Sequence, residues 1–162
     1  MKMDKKVLMS TIVLLTLSMM VLSPVKAITK ETYTMQMVLN QVDPGRQWVS
    51  EEGILHIRDA HWNGTVEGTL GTGTYDGWVS VNINRATQEG TLSEKWVITF
   101  TSQDTLAGSS RGKLSMPFAS GTSVGTEGTG DFEGAKIMGS YEGVHPSLTQ
   151  IVVDVNGTII YL

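Results

Sequence analysis

Cysteine is absent from all 162 residues of this chain. That excludes disulfides, thiol nucleophiles, Cys-ligated zinc and iron–sulfur clusters, so stability must come from core burial, hydrogen-bonded sheet or self-association. Clustered positive charge is lacking as well, once the N-terminus is set apart. Lys2, Lys5 and Lys6 precede an almost wholly apolar run from Val7 to Leu22, and Val25-Lys26-Ala27 supplies small residues before a cleavage point. This pattern predicts an export signal over residues 1–27, and hence a secreted, cell-envelope or periplasmic protein with no membrane attachment after cleavage. The remaining residues 28–162 carry eight Lys and Arg against fifteen Asp and Glu, a formal charge of −7 compared with −4 for the whole chain. Nucleic acid and anionic membrane both reward clustered positive charge, so neither is expected as a partner.

A helical apolar stripe is also missing: no segment after residue 27 keeps a 3.6-residue period over three turns. Glycine and threonine dominate instead. All eighteen glycines follow residue 44, and nine are followed directly by threonine. Threonine favours extended backbone, while glycine marks turns, bulges and close backbone approach. Tyr75, Gly77, Val79, Val81 and Ile83 alternate with polar neighbours and Trp78, and Trp96, Ile98 and Phe100 alternate with Lys95, Val97, Thr99 and Thr101. A period of two predicts strands with one buried face. Strands are expected near 31–39, 53–61, 64–70, 74–84, 91–101, 106–116, 121–127, 136–144, 149–155 and 158–162, with Asn156-Gly157 as a hairpin turn. The expected fold is all-β: a single antiparallel β-barrel domain of about eight main strands spanning residues 28–162.

Residues 64–77 (GTVEGTLGTGTYDG) and 121–134 (GTSVGTEGTGDFEG) share eight of fourteen positions at an offset of fifty-seven residues, which predicts two units with one backbone solution. The second unit superficially suggests a phosphate loop. Its spacing is Gly-x-Gly-x-x-x-Gly, however, with Asp131 and Glu133 where a phosphate would sit and an extended Ile137-Met138-Gly139-Ser140-Tyr141 after it. Without a strand–loop–helix context the glycines carry no nucleotide signal. Gly128-Thr129-Gly130-x-Phe132-x-x-Ala135-Lys136, followed by Gly139, resembles the Gly-Thr-Gly-x-Phe-x-x-Ala-Arg hairpin of the allene oxide cyclase and dirigent barrel superfamily, with Lys136 in the arginine position. That resemblance implies a barrel whose pocket shapes a reactive species without metal or nucleotide, and which self-associates. Thr72-Gly73-Thr74-Tyr75 and Gly77-Trp78 give a lesser likeness to calycin-like barrels, the biotin binders and lipocalins.

Candidate chemistry is sparse. His56, His61 and His145 lack metal-ligand spacing, and no Gly-x-Ser-x-Gly elbow exists, so neither a metal nor any cofactor is expected. On an uninterrupted strand Leu55, Ile57, Asp59 and His61 share one face, making Asp59 and His61 the candidate acid–base pair at a barrel mouth. Tyr75, Trp96, Phe132 and Tyr141 are candidate ligand-binding residues, and Trp62 and Trp78 are further aromatics for a cavity wall. Phe132 is expected to turn inward as a plug, while Trp78 on the outside would mark a self-association patch. Asn63-Gly64-Thr65 and Asn156-Gly157-Thr158 fit the glycosylation sequon. Three functions remain open: a barrel binding a small apolar or aromatic molecule, a cofactor-free isomerase, cyclase or coupling guide, and a structural or interaction barrel with no ligand.

Overall fold

The computed structural model describes residues 28–161, so the signal expected over residues 1–27 lies outside the described residues. Nine strands follow in chain order: β1 (Thr29–Asp43), β2 (Arg46–Val49), β3 (Ile54–Gly68), β4 (Gly71–Asn84), β5 (Glu89–Phe100), β6 (Thr105–Ser115), β7 (Phe118–Gly128), β8 (Lys136–Ser147) and β9 (Gln150–Tyr161). A single 3-10 turn, Gly130–Phe132, links β7 to β8. From β3 to β9 the chain meanders antiparallel, and β1 pairs with both β9 and β3. Eight strands therefore close a barrel, and β2 lies outside it, paired only with the first part of β3. Closure matters in a Thr-rich chain without disulfides, because it leaves no long unpaired edge.

One end of the barrel is packed shut. There Phe132 is buried and stacks on Phe100 with ring centroids 4.6 Å apart, beside the fully buried Leu106, Ala135 and Ile159. Gly130 (φ 58°) and Gly134 (φ 74°) flank the turn that aims Phe132 inward, a backbone state that a Cβ penalises. The inward plug is thus as expected, and β8 rather than a helix follows it.

Two local expectations are corrected. Asn156-Gly157 is no turn: β9 runs straight through it, bonded to β1 from Thr29↔Tyr161 to Asn40↔Gln150 and to β8 on its other side. Ladders on both flanks outweigh the local preference of Asn-Gly for a hairpin, and Asn63-Gly64 is likewise inside β3. The two Gly-Thr units also use different backbones: residues 64–77 form the β3–β4 hairpin, whereas residues 121–134 run from β7 into the 3-10 turn.

Gly157 shows what glycine does within these strands. A Cβ there would meet the Tyr33 ring at 2.7 Å as well as the Met138 carbonyl oxygen. Tyr33 pairs with Gly157 across β1 and β9 and lies flat over it, 1% exposed. Gly157→Ala is expected to lower the unfolding free energy in urea by about 1–3 kcal/mol through overpacking. Asn156→Ala, exposed mid-strand, should change it by less than about 0.5 kcal/mol. The reverse order would restore a turn role for the pair.

Candidate functional site

The other end of the barrel opens into a cavity of about 490 Å³. Its floor and walls come from inward positions of the barrel strands: Met35 and Met37 on β1, Trp62 on β3, Tyr75 and Val79 on β4, Trp96 on β5, Tyr141 on β8 and Val153 on β9. The rim includes Arg85 and Gln88 after β4 and Leu148 after β8, all exposed. Large rings can stand inside so slender a barrel because glycines face them. Gly77 lies between Trp62 and Trp96 in register, Gly108 pairs with Trp96, and Gly121 pairs with Tyr141. A Cβ on Gly77 would come within 2.5 Å of the Tyr75 hydroxyl, and one on Gly125 within 3.0 Å of the Trp96 ring.

A carboxylate sits among these rings. Leu92, Glu94, Trp96, Ile98 and Phe100 share the inward face of β5, so Glu94 projects into the cavity between Val79 of β4 and Ser110 of β6. The Tyr75 hydroxyl donates a hydrogen bond to Glu94 Oε1. Burial pushes the Glu94 carboxyl up to about 7, with a hydrogen bond from Ser110 opposing the rise. Ser110 Oγ is in turn 3.2 Å from Ser123 Oγ on β7. Burial, reinforced by the charge of Glu94, pushes the Tyr141 hydroxyl up, and burial does the same to Tyr33. The hydroxyls of Tyr33 and Tyr141, Trp96 Nε1 and His145 Nδ1 are buried with no hydrogen-bond partner among the described residues. Such groups are costly when buried and normally have partners.

The expected site residues divide cleanly. Tyr75, Trp96 and Tyr141 line the cavity together with Trp62, whereas Phe132 belongs to the closed end and Trp78 is exposed on the outer wall. Asp59 and His61 do not face the cavity, which corrects the expected grouping with Leu55 and Ile57. A bulge lies between Ile57 and Ala60, with Asp59 at φ 57°, so the extra residue shifts the inward set to Ala60 and Trp62. Asp59 is exposed and pairs with Arg46 at 3.3 Å. His61 stacks on Trp78 at 5.1 Å and lies 3.1 Å from Asp76 Oδ1. Asn63 and Asn156 are both exposed on strand exteriors. Among the described residues no group of three or more His, Asp or Glu could hold a metal ion.

Glu94 is the residue that the sequence reading missed. Its signal was available: extending the Trp96, Ile98, Phe100 alternation back by two residues puts an acid on an apolar face. No protein-family model matches the chain, and no curated protein resembles it significantly in sequence.

The raised Glu94 carboxyl has a consequence for stability. Between pH ~4.5 and ~7 the folded chain holds a proton that the unfolded chain has released, so stability falls as pH rises through this window. A shift of this size corresponds to on the order of 3 kcal/mol. Glu94→Gln is therefore expected to be more stable than the unaltered protein in urea near pH 8, with the difference shrinking towards pH 4.5. An advantage that grew on acidification would contradict the burial of this charge.

Proposed function

We propose that this domain is an exported binding barrel that takes one small, largely apolar or aromatic molecule into its interior. The observation that supports this most directly is the cavity itself: about 490 Å³, walled by Met, Trp, Tyr, Val and Leu, and reaching exposed rim residues at one end only. That size falls in the usual range for small-molecule sites, and few, well-placed polar groups in an apolar wall are their common composition. A barrel filled by its own side chains would instead have favoured a purely structural role. The acidic balance of residues 28–162 keeps nucleic acid an unfavourable partner for this reading.

A second reading, a cofactor-free isomerase or cyclase, is favoured by one specific arrangement. Glu94, its carboxyl pushed up to about 7 and hydrogen-bonded by Tyr75, is poised to give or take a proton at neutral pH. The likeness of the Gly128 to Lys136 segment to the cyclase and dirigent hairpin supports the same alternative. Binding is the common requirement of both and stands first.

Uptake can be tested with N-phenyl-1-naphthylamine, whose fluorescence rises when it leaves water. Saturable enhancement at one molecule per chain is expected, together with quenching of tryptophan emission from Trp62 and Trp96. Leu92→Trp, which fills the cavity from β5, should weaken uptake at least tenfold; unchanged uptake in that variant would assign the dye to the outer wall and sink the interior site.

A further inference from the structure

We propose that the interior site takes an amine: a protonated ammonium group on an apolar or aromatic body, with Glu94 as its counterion. This deepens the binding reading above and rests on it. Glu94 is the one carboxylate among the residues lining the cavity, and among the described residues no Lys, Arg or His forms an ion pair with it. A buried charge without a partner is expensive, and the missing charge is positive. The surrounding groups fit a cation better than an anion or a plain hydrocarbon.

The neighbours can be taken strand by strand. Tyr75 of β4 and Ser110 of β6 bond the carboxylate, which with its two oxygens keeps lone pairs that can accept from a ligand N–H. Ser110 of β6 and Ser123 of β7 flank it, while Tyr141 of β8 and Tyr33 of β1 bring hydroxyls that have no partner among the described residues. Both tyrosines are at least nine-tenths buried, and a hydroxyl oxygen accepts from an ammonium as readily as a water does. Trp96, Tyr75 and Tyr141 line the same cavity, and aromatic rings carry a negative face potential that attracts cations. Trp96 Nε1 can only donate, so an oxygen acceptor elsewhere on the ligand would complete the site. The other basic groups in the lining are at its edge: Arg85 is exposed on the rim, and His145 packs edge-on against Trp62 with burial holding its imidazole below the usual range.

Three ligands that differ in one group give the test: 2-phenylethylamine, 2-phenylethanol and 3-phenylpropanoate, titrated calorimetrically into the protein near pH 7.5. The amine is expected to bind at least tenfold more tightly than the alcohol, and the acid weakest of the three. Because the amine needs the Glu94 carboxylate ionised, its affinity should rise roughly twentyfold between about pH 5.5 and 7.5, with that of the alcohol flat or falling. Glu94→Gln should remove the amine preference over the alcohol and its pH dependence. If the alcohol binds as well as the amine, or the naphthylamine dye enters but the amine does not, the cation assignment is overturned and the binding barrel survives. If neither the dye nor any of the three ligands binds, both readings fall. The comparison among ligands on the unaltered protein decides the matter even if the Glu94 variant does not fold.

Discussion

The contact on which this barrel depends is an aromatic ring laid over bare glycine backbone. Eight strands enclose little room, and Tyr33, Tyr75, Trp96 and Tyr141 all point inward. They fit because Gly157 and Gly139 face Tyr33, Gly77 faces Tyr75, Gly108 and Gly125 face Trp96, and Gly112 and Gly121 face Tyr141. Each glycine gives up strand propensity and backbone entropy. Each ring in return buries a large apolar area, and Tyr33, Trp96 and Tyr141 do so against glycines of neighbouring strands and so help to pin register, the role that aromatic residues play when they cover strand glycines. The same pairing leaves space beside the rings, so packing and cavity arise from one device.

This device explains which parts of the fold were legible in the sequence. The alternation at Tyr75 to Ile83 and at Trp96 to Phe100 gave strand type and inward face correctly, because side-chain period depends only on local backbone. The Asn156-Gly157 turn failed for a non-local reason. That glycine answers to Tyr33, which lies more than a hundred residues away in the chain, and no window around residue 157 contains it. Asp59 failed for a different reason: one residue in left-handed backbone inserts a bulge, and everything beyond it changes face. Aspartate is among the residues that tolerate this conformation, so the position was open to a bulge without demanding one. Three of the four expected aromatic candidates face the cavity, because they occupy bulge-free stretches of strand where the local alternation holds.

Glu94 joins the site to the stability of the whole. The closed ladder of hydrogen bonds lets the barrel keep a cavity without collapsing onto it, since inward movement of any strand would break bonds to two neighbours. Placing an acid in that cavity costs stability as pH rises towards neutrality, and Tyr75 and Ser110 offset only part of the cost. Replacing Glu94 by an apolar residue of similar volume would relieve it, because an isolated buried charge contributes nothing favourable by itself. A group that weakens the fold most where it is ionised gains its compensation only when something of opposite charge shares the cavity. By linkage, a molecule that supplies that charge binds more tightly for the very reason that the free barrel is strained, and it stabilises the folded chain in proportion.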